Sequence, residues 1–112
     1  MFSSKTLVLS VILFSSCLAE KEVRVYGANW CGWTQKLVDA FGGQELIDPI
    51  YVECTENEEL CSSEGIEGFP TIKIAGEKVD IQRTLEGFAT AVDCNAPKVN
   101  LSAQPSEEPA TC

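Results

Sequence analysis

The apolar positions along the chain fall into short blocks separated by turn residues. Residues 7–14 (LVLSVILF) form a nearly continuous apolar run behind Lys5. Residues 23–26 (VRVY) are rich in β-formers and end at Gly27, which predicts a strand. Over residues 34–41, Leu37, Val38, Ala40 and Phe41 make one apolar helical face, stopped by Gly42-Gly43. Residues 50–52, after Pro49, read as a short buried strand. Residues 56–63 are polar and suit a short helix, with Thr55 as N-cap and Glu58 three residues on. The stretch Gly65-Ile66-Glu67-Gly68-Phe69-Pro70 is a loop. Residues 71–74 and 77–81 then form a hairpin around Ala75-Gly76, and a last helix runs over residues 84–93.

The order is β-α-β-α-β-β-α. Alternating β and α elements imply an α/β domain whose sheet has parallel strands covered by helices, and the closing hairpin makes that sheet mixed, with four strands in all. The expected domain is residues 20–95. Residues 1–19 have the layout of a secretory signal peptide: Lys5, the apolar run, and Cys17-Leu18-Ala19 as a cleavage site, with a run too short to cross a bilayer of about 30 Å. Cleavage is expected after Ala19, delivering the domain to an oxidising lumen, the extracellular space or a periplasm-like compartment. An uncleaved anchor and a lipoprotein site at Cys17 are the alternatives. Residues 96–112 turn to Pro, Ser, Ala and Glu and read as a disordered acidic tail, with a glycosylation sequon at Asn100.

Charge and composition narrow the chemistry. The 112 residues carry 8 basic and 17 acidic side chains, a net charge of −9, and no histidine. Such a balance argues against nucleic-acid binding, which needs a basic face. The lack of histidine removes imidazole acid–base catalysis and Cys₂His₂ metal sites. Six cysteines remain, and loss of the leader leaves Cys31, Cys54, Cys61, Cys94 and Cys112. Five is odd, so one thiol is free, shared with a partner, or reactive.

Cys31, in Trp30-Cys31-Gly32-Trp33-Thr34, sits between the first strand and the first helix. Unpaired N–H groups at a helix N-terminus favour an anion, hence the thiolate. Gly68-Phe69-Pro70-Thr71 precedes the third strand. In element order and in these two motifs the chain resembles the thioredoxin superfamily over residues 22–94. The resemblance implies that Cys31 is the nucleophile, that Trp30 is its preceding aromatic, that Pro70 is a cis-proline beside it, and that the backbone of Phe69 pairs with a client strand. Thr34 stands where a second, resolving cysteine is usual, and Val25 where many members place a buried acid. Cys31-Gly32-Trp33-Thr34 is also similar to the loop of monothiol glutaredoxins, with Thr34 placed to hydrogen-bond a Cys31 thiolate. Attack by Cys31 would then leave a mixed disulfide until another thiol arrives: glutathione, a second protein, Cys94 or Cys112.

Cys54 follows the second strand and Cys61 lies in the next short helix, close enough for a disulfide of about 5.5 Å Cα separation. The block from Tyr51 through Cys54 and Cys61 to Thr71 resembles the thioredoxin-like domain of vitamin K epoxide reductase homologues, which exchanges disulfides with a membrane partner. Cys54 and Cys61 read as a structural staple, with a redox-active pair as the alternative; a metal site is not expected. Trp30, Trp33, Phe69 and Pro70 are the candidate client-binding residues. The expected function is thiol–disulfide exchange on protein clients by a monomer without a bound cofactor, glutathione being a possible reductant. A non-catalytic client-retention module and a glutathione-ligated iron–sulfur carrier are the alternatives.

Overall fold

The structure, a computed structural model, describes residues 3–95 and 111–112. Its centre is β1 (Val23–Gly27), flanked by β2 (Tyr51–Glu53) in parallel and by β3 (Thr71–Ile74) antiparallel; β4 (Glu77–Val79) closes the sheet in the order β2-β1-β3-β4. The mixed four-stranded sheet is the one the element order implies. Ile74 pairs with Glu77 across Ala75 and Gly76, which both take positive φ (53° and 86°), the backbone that a two-residue hairpin needs.

The period of two in β1 assigns its side chains to opposite faces. Val23 and Val25 are fully buried in the main core, with Leu37, Phe41, Ile47, Ile50, Ile72, Leu85 and Phe88. Tyr26 points the other way, into a smaller cluster with Cys54 and Cys61, against which Val52, Ile66 and Phe69 pack. The larger cluster holds the domain together. The smaller one supports the loop around Phe69.

Helix α2 (Gly32–Ala40) starts two residues ahead of the apolar pattern because Cys31 is its N-cap, and it buries Thr34, Leu37 and Ala40. Gly42 and Gly43, at φ 100° and 126°, end the chain's helical course. A four-residue helix α3 (Gln44–Ile47) and a 3₁₀ turn (Asp48–Ile50) follow, which the sequence pattern did not anticipate; Ile47 and Ile50 anchor them in the core. Helix α4 (Glu58–Ser63) is capped by Asn57, not Thr55. The reason is local: the Thr55 hydroxyl donates to Glu53 Oε2 at 2.7 Å and is committed there. Helix α5 (Leu85–Val92) has Thr84 as N-cap, its hydroxyl accepting from Gly87 N–H at 3.0 Å, and Asp93 as a left-handed C-cap.

The segment expected to be a leader is helical in the full chain. Helix α1 (Ser3–Glu20) buries Phe14, Ser15 and Leu18; the Phe14 ring stacks on Phe41 at 6.2 Å, and Phe41 meets Phe88 edge-on at 5.2 Å. Cys17 is bonded to Cys94, just past α5, with a Cα separation of 6.2 Å. Among the described residues no helix is long and apolar enough to cross a membrane. Residues 96–110, including Asn100, lie outside the described residues. The expected disordered tail needs one correction at its end: Thr111 and Cys112 are held against the domain, because Cys112 is bonded to Cys31.

Candidate active site

The site grows from the end of β1. Gly27 must lack a side chain there, since a Cβ would come within 2.7 Å of Thr34 Cγ2 and 2.9 Å of the Tyr51 ring. The chain then turns through Ala28, Asn29 and Trp30 into α2. Four hydrogen bonds fix that turn. Ala28 N–H donates to Thr34 Oγ1 (3.3 Å), Cys31 N–H to the Ala28 carbonyl (3.0 Å), Asn29 N–H to Glu53 Oε2 (3.0 Å), and Gln35 Nε2 to the Asn29 carbonyl (2.8 Å). Thr34 is therefore a buried fastener of the turn. The expected partner, a Cys31 thiolate, does not exist in this state because the sulfur is in a disulfide.

Glu53 is a site residue that the sequence did not reveal. Its Oε1 accepts from the Tyr51 hydroxyl at 2.8 Å, and its Oε2 from Asn29 N–H and Thr55. Burial works to raise its pKa, but hydrogen bonds from Thr55, Tyr51 and Asn29 outweigh that and hold the carboxyl below its ordinary value. Burial, and then the bond to Glu53, push the Tyr51 phenol well up. The pair stays as a neutral phenol donating to a carboxylate. Val25, at the position where the resemblance would place a buried acid, is fully buried in the main core.

Cys31 is 0% exposed at the N-terminus of α2 and faces the Gly68–Thr71 loop. Its Sγ lies 3.3 Å from the Phe69 carbonyl oxygen. While bonded to Cys112 that sulfur has no hydrogen to give, so this is a contact that becomes a hydrogen bond only in the thiol form. The Phe69–Pro70 peptide is cis, Pro70 is buried, and the Thr71 hydroxyl donates to the Gly68 carbonyl at 2.7 Å. Trp30, 62% exposed, meets the Phe69 ring edge-on at 5.8 Å. Trp33 points outward, with Lys36 Nζ 4.7 Å above its ring.

Cys54 and Cys61 are joined, with a Cα separation of 5.8 Å, and both are buried beneath Phe69. Lys73 secures the same corner by binding the Glu64 carboxylate at 2.9 Å and its carbonyl at 2.6 Å. The remaining contact comes from the far end of the sequence. Cys112 is bonded to Cys31 at a Cα separation of 6.0 Å, and its N–H donates to the Phe69 carbonyl at 2.8 Å. Thr111 lies over Gly68. Thus all six cysteines are paired, and Trp30, Cys31, Thr34, Phe69 and Pro70 come together, with Trp33 at the margin. Among the described residues no three His, Cys, Asp or Glu side chains are arranged to hold a metal ion.

No family model matches the sequence. Individual relatives do. The chain is 31% identical to protein disulfide-isomerase A3 of Gallus gallus over 101 residues, covering 79% of this chain and 20% of that protein. It is 35% identical to a probable protein disulfide-isomerase ER-60 of Schistosoma mansoni over 81 residues, 63% of this chain and 17% of the relative. A mitochondrial thioredoxin domain-containing protein of Schizosaccharomyces pombe is 33% identical over 85 residues, 66% of this chain and 23% of the relative. The chain belongs to the thioredoxin superfamily. It spans about a fifth of the length of these three relatives.

Proposed function

We propose that the chain carries out thiol–disulfide exchange on protein clients, with Cys31 as its nucleophile. The supporting observation is the placement of Cys31: N-cap of α2, against the Phe69–Pro70 loop, and already in a disulfide with a second, distant cysteine. Relatives named protein disulfide-isomerase point to the same chemistry.

Once reduced, Cys31 sits where free N–H groups and the helix dipole favour the thiolate. The thiolate attacks one sulfur of a client disulfide, forms a Cys31–client mixed disulfide, and releases the other client sulfur as a thiolate. Thr34 and Glu53 keep the turn that presents Cys31 fixed, and Phe69 offers its backbone to an extended client segment. Trp30 and Trp33 line the approach. The buried Cys54–Cys61 bond serves as a staple under Phe69. The leader-like pattern of residues 1–19 supports action in the secretory pathway, where disulfides persist.

Replacing Cys31 with Ser should abolish reduction of a disulfide-bonded protein substrate by glutathione. Undiminished turnover in C31S overturns the proposal. A wild-type protein that accumulates Cys31-linked adducts without cycling would identify a retention module instead.

A further inference from the structure

The reading of Cys31 as nucleophile leaves unanswered which thiol breaks its mixed disulfide, since Thr34 cannot. The structure narrows the choice within the chain. Cys54 and Cys61 are bonded to each other in a separate cluster, and Cys94 is buried in the main core, a cluster that does not include Cys31. Cys112 alone is brought to Cys31, and it arrives with a built seat: its N–H on the Phe69 carbonyl at 2.8 Å, and Thr111 across Gly68, whose missing Cβ would stand 3.1–3.4 Å from Thr111 and from the Cys112 carbonyl. Gly68 thus makes room for the segment. Cys112 is also exposed, whereas Cys31 is enclosed in the bonded state.

We propose that Cys112 is the resolving cysteine of this monothiol loop and that its segment caps the site when the reaction is over. This rests on Cys31 forming the mixed disulfide. The Cys112 thiolate attacks Cys31 Sγ, the Cys31–Cys112 bond forms, the Cys31–client bond breaks, and the client sulfur leaves as a thiolate. Over both steps a client disulfide gains two electrons and becomes a dithiol, while the Cys31/Cys112 dithiol loses two and becomes the observed disulfide. The Phe69 carbonyl is the shared element. A client strand paired there occupies the acceptor that Cys112 N–H uses, so closing the bond and releasing the client are coupled. The bonded segment then covers the same position against a new client.

The test compares the full-length wild type with C112S. Each is reduced, freed of reductant and mixed with glutathione disulfide; samples are then acid-quenched and every cysteine is mass-mapped over time. C112S should hold glutathione on Cys31 at least tenfold longer than wild type, in which the adduct gives way to Cys31–Cys112. Equal lifetimes, or a wild-type adduct resolved by Cys94, overturn the assignment of Cys112 while leaving Cys31 as nucleophile. Failure of Cys31 to take up glutathione in both proteins overturns the underlying reading and this one with it. C112A run in parallel should behave as C112S; a shorter adduct lifetime in C112A would show that the serine hydroxyl, not loss of the thiol, caused the delay, and would overturn the assignment.

Discussion

The Phe69 carbonyl oxygen stands 3.3 Å from Cys31 Sγ and accepts the backbone N–H of Cys112 at 2.8 Å. One backbone group thus touches both halves of a disulfide whose cysteines are 81 residues apart in sequence. That single acceptor ties the loop before β3 to the thiol chemistry at the start of α2.

Gly68 should govern how readily this bond closes. In G68V the added side chain meets Thr111 and the Cys112 carbonyl, in an exposed segment outside the core. The fold itself should change by less than about 1 kcal/mol. Equilibration in glutathione buffers should show the Cys31–Cys112 bond reduced at several-fold lower ratios of thiol to disulfide than in wild type. An unchanged ratio would show that the seat over Gly68 contributes nothing to closing.

Gly27 has the opposite kind of neighbours. A Cβ there runs into Thr34 and Tyr51, both set by packing. G27A should cost about 1–3 kcal/mol in denaturant unfolding, typical of overpacking. It should also weaken the turn that presents Cys31, because Thr34 is the acceptor for Ala28 N–H.

Much of this arrangement was legible in the sequence, and the rest was hidden for identifiable reasons. Strands β1 and β3, helices α2 and α5, and the hairpin at Ala75-Gly76 follow from local patterns that their surroundings reinforce. Helix α3 and the turn at Asp48–Ile50 are too short for a helical period to show, and Ile50, beside Tyr51 and Val52, reads as the start of the strand that in fact begins at Tyr51. Cys31 stands out by its place at a helix start, and Trp30, Phe69 and Pro70 through the resemblance to the thioredoxin superfamily; the four come together. Glu53 was missed: a glutamate at a strand end reads as solvated until Asn29, Tyr51 and Thr55 are seen around it. For Cys31 the sequence left Cys112 as one of several open partners, and the partner of Cys94 was beyond reach. Pairing is a distance in space, and removing Cys17 with the leader left an odd set that no spacing could resolve.

Glu53 should give the fold an acid-sensitive contribution. Its folded pKa lies below its unfolded value, so its ionisation favours the native state above the ordinary carboxyl range. That contribution is lost as pH falls through the lowered folded value. E53Q keeps the shape but not the charge, and should be less stable than wild type at about pH 7 by about 1 kcal/mol. The difference should hold down to about pH 4.5 and shrink only below it in matched denaturant titrations. A gap that widens on acidification would contradict this.

The Cys54–Cys61 bond closes a short loop, with a sequence separation of 7. Removing both sulfurs in C54A/C61A should cost roughly 2–3 kcal/mol of stability by chain entropy. As a staple, its loss should leave Cys31 still able to form and resolve a glutathione adduct, within a few-fold of the wild-type rate. Loss of all exchange in a variant that remains folded by circular dichroism would make the pair part of the redox pathway.

The relation between α1 and Cys94 can be tested by starting the chain at Glu20, where the leader pattern ends. This removes Phe14 and Leu18 from the core, each worth about 1.5–3 kcal/mol of buried apolar surface, and takes away the partner of Cys94. Phe41 and Phe88 lose cover, and Cys94 becomes the odd thiol among five. The shortened chain should unfold at markedly lower denaturant than the full one, and Cys94 should be alkylated without denaturant while Cys54 and Cys61 stay protected. The same map on protein recovered from the medium of a secreting host would test for cleavage: an alkylated Cys94 marks removal of Cys17, and a protected one marks its retention. Equal stability of the two chains, with Cys94 still protected in the shorter, would mean that α1 adds nothing to the fold.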